Sequence, residues 1–139
     1  MGDLIQKAVE VHEVLTRYIQ IHNDVFKSSI RRVIPIPGIF QSIDYGKHHS
    51  DLTELANELE ALISGAVSDD EFAGALREYA QALFQTISSL RDICGKLYEK
   101  SQGDLNSYPK SQYEADLAKY HSYERTYQAL GERLNQYLR

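Results

Sequence analysis

The fold of this chain is decided by residues 69–101, DDEFAGALREYAQALFQTISSLRDICGKLYEKS. Apolar side chains recur there at steps of three and four from Phe72 to Tyr98, which is about seven turns of an α-helix at 3.6 residues per turn. Asp69, Asp70 and Glu71 open the stretch, and the positive end of a helix dipole favours acidic residues in a first turn. The stretch therefore predicts one long amphipathic helix.

Further helices are predicted on both sides of this one. Asp3 can cap an N-terminal helix, Ser50 can cap a second, and Ser111 with Glu114 forms a capping box before the last. The predicted helices span about residues 3–30, 51–67, 69–101 and 111–138. With 139 residues and 42% hydrophobic side chains, we expect one domain, residues 1–139. The pattern predicts an all-α fold, an antiparallel four-helix bundle.

A long apolar loop rich in Pro and Gly separates the first two predicted helices. Pro35 and Pro37 lack backbone donors and bias their preceding residues toward extended conformations, so the first helix must end before them. The connection, residues 33–49, is longer than a compact bundle normally uses. One interpretation is that the loop runs back along the bundle and covers core that the short second helix leaves open. The other is that it binds a partner through Ile34, Ile36, Ile39 and Phe40.

Charge and cysteine content exclude several classes of protein. The net charge is −5 and residues 50–78 are strongly acidic, whereas a nucleic-acid binder normally clusters Lys and Arg on one surface. No apolar run is long enough for a membrane span, and the N-terminus lacks the basic and apolar regions of a signal peptide. The single cysteine, Cys94, forms no internal disulfide. We therefore predict a cytoplasmic protein that does not bind nucleic acid and is not expected to associate with membranes.

No motif predicts catalysis, a metal or a cofactor. The five histidines are His12, His22, His48, His49 and His121. None follows a glutamate by three residues, as di-iron bundles require, and His121 with Glu124 has the reverse order. The chain also lacks a nucleophile elbow and a Gly-rich phosphate loop. The sequence thus predicts no enzyme, no metal site and no cofactor.

Tyrosines are concentrated on the last predicted helix. Tyr113, Tyr120, Tyr123 and Tyr127 form an aromatic face wider than a minimal core seam. Tyrosine has a large apolar body and a polar tip, so such a face suits either the rim of a core or a protein interface.

These patterns favour a non-enzymatic helical protein–protein interaction module. Its partner is predicted to be another protein chain or a second copy in a homo-oligomer, bound through the apolar loop or the tyrosine face. Two alternatives stay open at this point. One is a sensor domain that holds a small molecule or metal in the bundle core, and the other is peripheral membrane association through the apolar loop.

Overall fold

The structure, a computed structural model, describes residues 2–31, 44–65, 70–103 and 108–137, with side chains in the first range from residue 4 to residue 26. These residues form four α-helices: α1 (Gly2–Arg31), α2 (Tyr45–Ser64), α3 (Glu71–Ser101) and α4 (Lys110–Tyr137). The predicted all-α four-helix bundle is confirmed. None of the described helices combines the length and the apolar character needed to cross a membrane.

Consecutive helices run antiparallel. Lys7 near the start of α1 lies beside Gly65 at the end of α2, and Gly46 at the start of α2 lies beside Tyr98 near the end of α3. Contacts between α3 and α4 show the same arrangement. At one end Lys96 of α3 pairs with Asp116 of α4, and at the other Phe72 packs against Tyr137. The core is drawn from all four helices, and α3 contributes the largest share because its long apolar stripe faces both α2 and α4. Leu83, Ile87 and Leu90 of this stripe are fully buried.

The spacing between α1 and α4 differs from that of the other neighbouring helices. Among the described residues, no Cα atom of α1 lies within 8 Å of a Cα atom of α4. The two helices instead meet through long side chains, and Tyr18 of α1 reaches both Tyr120 and Tyr127 of α4. This wide gap, spanned by aromatic rings, positions the candidate site.

The start of the second helix was predicted wrongly. It was expected at residue 51 with Ser50 as the cap, but α2 begins at Tyr45, where the Asp44 carboxylate accepts a hydrogen bond from the Lys47 backbone N–H at 3.0 Å. The reason is tertiary packing, because the earlier start buries Tyr45 in the core and lays Gly46 against the ring of Tyr98. Residues 45–49, predicted as loop, therefore form the first turn of the helix.

Other boundaries lie close to the predicted ones. α3 begins at Glu71 with Asp70 at its N-cap, two residues later than expected, and α4 begins at Lys110, one residue earlier. The predicted path of the apolar loop concerns residues 33–43, which lie outside the described residues.

Candidate functional site

The predicted binding residues fall in different parts of the structure. Ile34, Ile36, Ile39 and Phe40 lie outside the described residues, so their role stays a prediction. The four tyrosines are all described, and they do not form one surface.

Burial separates these tyrosines. Tyr120 and Tyr127 are buried between α1 and α4. Tyr113 is half-buried, with its ring edge-on to Tyr108 at a centroid distance of 5.8 Å. Tyr123 is also half-buried and lines an open groove of about 250 Å³ between α3 and α4. A partner could therefore contact Tyr113 and Tyr123 on the folded bundle, but it could reach Tyr120 and Tyr127 only if α1 moved.

The buried pair belongs to a polar and aromatic cluster that joins α1 to α4, here named the α1–α4 cluster. Its members are Tyr18, His22, Phe26, Tyr120, His121, Glu124 and Tyr127. The three α1 members are spaced four residues apart, so they project from one edge of that helix. Phe26 stacks on Tyr120 at a centroid distance of 5.8 Å, and Tyr18 meets Tyr127 edge-on at 6.1 Å. These ring contacts fill the wide gap between the two helices.

Hydrogen bonds run through the cluster from the core outward. The Tyr18 and Tyr120 hydroxyls are bonded to each other, and the Tyr120 hydroxyl lies 2.6 Å from Nδ1 of His22. When His22 is neutral and Nδ1 carries no proton, Tyr120 donates to it and Tyr18 donates to Tyr120. In this arrangement each buried hydroxyl proton has an acceptor.

The pKa shifts in the cluster follow from burial. Burial raises the pKa of Tyr120 far above its usual value, and the nearby Tyr18 hydroxyl adds to the effect. Burial also raises the pKa of Tyr18, although its hydrogen bond to Tyr120 acts in the opposite direction. For His22 burial lowers the pKa, and it outweighs the attraction of Glu124 for the imidazolium. The cluster is thus built to hold two neutral phenols and a neutral imidazole.

The polar end of the cluster reaches the surface at His121, whose side chain is 46% exposed and pairs with Glu124. The Glu124 carboxylate lies 2.6 Å from Nδ1 of His121 and 3.8 Å from Nδ1 of His22, and its side chain is 15% exposed. In the described part of the chain, no group of three His, Cys, Asp or Glu side chains is arranged to hold a metal ion. The Nδ1 atoms of the two histidines both have protein partners, Tyr120 for His22 and Glu124 for His121.

A second feature lies on the solvent side of α1. Ile5, Val9 and Ile19 are 55%, 45% and 39% exposed, and they are informative because they share one side of the helix. At 3.6 residues per turn they fall within an arc of about 80°, opposite Val14 and Tyr18, which face the core. The surface formed by Ile5, Val9, His12, Thr16 and Ile19 is named the outer face of α1.

An open groove adjoins this face. It lies between α1 and α4, has a volume of about 220 Å³, and is bordered on α1 by Ala8, His12 and Leu15. Its floor reaches the buried Leu76 and Tyr79 of α3. The groove exists because α1 and α4 are widely spaced, and it continues the apolar surface of α1 toward the core.

Sequence reasoning missed both features, each for its own reason. Ile5, Val9 and Ile19 fit the apolar spacing of the first helix as well as Val11 and Tyr18 do, because apolar side chains extend about two-thirds of the way round that helix. A helical wheel of this helix separates an inner apolar face from an outer one. For the α1–α4 cluster, the available signal was the four-residue spacing of the three α1 members, but their acceptors on α4 depend on how the helices pack.

Comparisons with known proteins give no functional parallel. No protein-family model matches the chain, no curated protein matches it, and no solved structure matches it.

Proposed function

We propose that this protein is a non-enzymatic helical interaction module, and that it binds an apolar helix of a protein chain along the outer face of α1. The observation that carries the proposal is the exposure of Ile5, Val9 and Ile19 on one side of a helix whose opposite side is already packed into the bundle. The cytoplasmic location expected from the sequence is part of the proposal.

The charge distribution on α1 supports this surface. A solvated helix face normally carries charged side chains, and charged residues make up 25% of the chain. Yet from residue 5 to residue 19 the outer face and the adjoining groove border contain no Asp, Glu, Lys or Arg. Between residues 5 and 19, charged side chains lie on the α2 side, where Arg17 pairs with Glu58 and the Lys7 ammonium lies beside Gly65. An uncharged helical strip beside an open groove is the kind of surface on which a partner helix docks.

A site-specific photo-crosslinker tests the proposal. A benzophenone amino acid replaces Val9 in three backgrounds: the native chain, Ile5→Lys/Ile19→Lys, and the matched control Gln6→Lys/Gln20→Lys, whose positions are exposed but lie off the outer face. We expect a protein adduct in the native and control backgrounds and its loss in Ile5→Lys/Ile19→Lys, because two ammonium groups would have to be desolvated in the interface. Equal adducts in all three backgrounds, or none in any, would contradict the proposal.

A second candidate function is suggested by the groove between α1 and α4. Its volume of about 220 Å³ and its contact with Leu76, Tyr79 and Leu134 suit a small apolar ligand. Native mass spectrometry of the gently purified protein tests this candidate. A discrete added mass that disappears in Ala8→Trp, a change that fills the groove border, would support it, whereas a spectrum at the polypeptide mass alone would count against it.

A further inference from the structure

We infer that the partner on the outer face of α1 is a second copy of this chain, with the two α1 helices packed antiparallel about a two-fold axis near His12. This inference rests on the proposed function and specifies its partner. It is carried by the positions of the exposed side chains, by the absence of charge on the face, and by the space beside α1.

The positions are symmetric about His12. Ile5 and Ile19 each lie seven residues from it, which is about two helical turns. In an antiparallel pair centred on this residue, Ile5 of one copy faces Ile19 of the other, and the same contact forms twice. A two-fold interface requires this kind of self-complementary patch.

The absence of charge points to the same partner. An uncharged strip binds best to another uncharged strip, since a charged partner would lose hydration without gaining an ion pair. The chain carries a net charge of −5, and its outer face of α1 is a strip of that kind. Charged side chains lie away from this strip. When two copies pair through it, their like charges therefore stay far apart and repel each other less.

The groove supplies the space for a second helix. Helices pack with axes about 8–10 Å apart, so a second α1 must approach closely along residues 5–19. Ala8 is small, and the wide spacing of α1 and α4 leaves the groove open beside it. Side chains of the second copy can enter this groove, which increases the buried area beyond that of two isolated helices.

Disulfide trapping tests the arrangement in the full chain. Three single variants are made, His12→Cys, Ile5→Cys and Ile19→Cys, and they are oxidised in dilute solution. The native chain is the blank, because Cys94 is buried and burial raises the pKa of its thiol to about 12. We expect His12→Cys to form a covalent dimer with itself. Ile5→Cys and Ile19→Cys should crosslink at least about tenfold more when mixed than alone, because a disulfide forms only where the two Cα atoms approach within about 7 Å.

Two results would overturn the inference. One is stronger crosslinking of Ile5→Cys with itself than with Ile19→Cys, since that indicates a parallel pair. The other is sedimentation equilibrium that shows only monomer at the highest attainable protein concentration. In the second case the photo-crosslinking experiment still decides the proposed function, because an adduct at position 9 with a different protein would keep the interaction module and exclude only the second copy.

Discussion

At the scale of single residues, the hydroxyl of Tyr120 is the central link between α1 and α4. It bonds both the Tyr18 hydroxyl and Nδ1 of His22, and Tyr18 is 1% exposed. Removing the middle of a buried chain leaves two groups without partners, whereas removing its end leaves fewer. The cost of an unsatisfied buried polar group is about 1–3 kcal/mol, and replacing both partners by apolar groups can be nearly neutral.

Tyr120→Phe is therefore expected to lower the free energy of unfolding by about 1–3 kcal/mol, and Tyr18→Phe by less. The double variant Tyr18→Phe/Tyr120→Phe should be less destabilised than the sum of the two single variants, because it leaves no orphaned tyrosine hydroxyl. Urea unfolding followed by circular dichroism measures all three values. Additive effects would show that the two hydroxyls do not depend on each other.

The lowered pKa of His22 predicts that stability depends on pH. Burial lowers its pKa in the folded chain, so the unfolded chain binds a proton at a higher pH than the folded chain does. Stability should thus fall as the pH is lowered through about 6.5, the ordinary histidine value, toward the folded value. The groups that face His22 in the cluster are Glu124 and His121 of α4, with the neutral Tyr18 and Tyr120.

The slope from one such group is at most about 1.4 kcal/mol per pH unit. Urea titrations at low protein concentration and a series of pH values should show a loss of stability on acidification for the native chain and for His12→Gln, a position that is exposed in the single chain. His22→Gln should remove the His22 part of that loss. An unchanged slope in His22→Gln would contradict the assignment.

Asp116 changes stability at a more acidic pH than His22, because its pKa is lowered in the folded chain. Its effect is therefore separate from the pH dependence assigned to His22. Burial would raise its pKa, but hydrogen bonds from Lys96, Tyr108 and Gln112 outweigh burial and lower it. The stability that this carboxylate contributes is present above the unfolded value of about 3.9 and is lost as the pH falls through the lower folded value.

At the scale of the helices, two glycines lie where neighbouring helices approach each other closely. A Cβ built on Gly131 of α4 would lie 3.1 Å from Cε2 of Tyr79, and one on Gly95 of α3 would lie 3.0 Å from the His49 ring. A Cβ on Gly74, near the start of α3, would meet nothing within 4 Å among the described atoms. Gly131 and Gly95 therefore lie where two helices approach closely, whereas Gly74 does not.

This difference gives a matched pair of variants. Gly74→Ala should raise the free energy of unfolding by about 0.5–1 kcal/mol, because alanine restricts the unfolded chain and favours the helix. Gly131→Ala should gain less or lose stability, since the Tyr79 ring has to move by a few tenths of an ångström. Thermal unfolding of the two variants side by side measures the difference. Equal gains would mean that the ring moves freely.

The helices also show how far sequence reasoning extends. The apolar stripe from Phe72 to Tyr98 predicted α3 almost to the residue, because a stripe of that length fits no other regular structure. The start of α2 could not be predicted in the same way. Asp44 and Ser50 are both good caps, and the choice between them depends on burial of Tyr45 and on the contact of Gly46 with Tyr98, which no local pattern contains.

At the scale of the whole molecule, the sequence could not tell which pair of helices is widely spaced. The long side chains that fill the gap between α1 and α4 also read as ordinary members of an apolar stripe. For the same reason the predicted tyrosine face was only partly a surface: Tyr120 and Tyr127 became part of the interior, while Tyr113 and Tyr123 stayed half-buried. The distinction depends on packing between helices that are distant in sequence.

The outer face of α1 gives a prediction for the isolated molecule. At low protein concentration Ile5→Lys/Ile19→Lys should change the free energy of unfolding by less than about 0.5 kcal/mol, because both side chains are already exposed. Val11→Lys, on the buried side of the same helix, should unfold the bundle or destabilise it severely. Circular dichroism melts distinguish the two results. A large loss in the first variant would mean that these isoleucines belong to the core.

The buried tyrosines also give the protein an optical property. The chain has ten Tyr and no Trp, so its near-ultraviolet spectrum is dominated by phenol. Burial raises the pKa of the phenols of Tyr18, Tyr79, Tyr108, Tyr120 and Tyr127. In alkali their absorbance can change to that of phenolate only as the bundle opens. The rate of this absorbance change after a jump to alkaline pH then measures how often the α1–α4 interface and the adjoining core open to water.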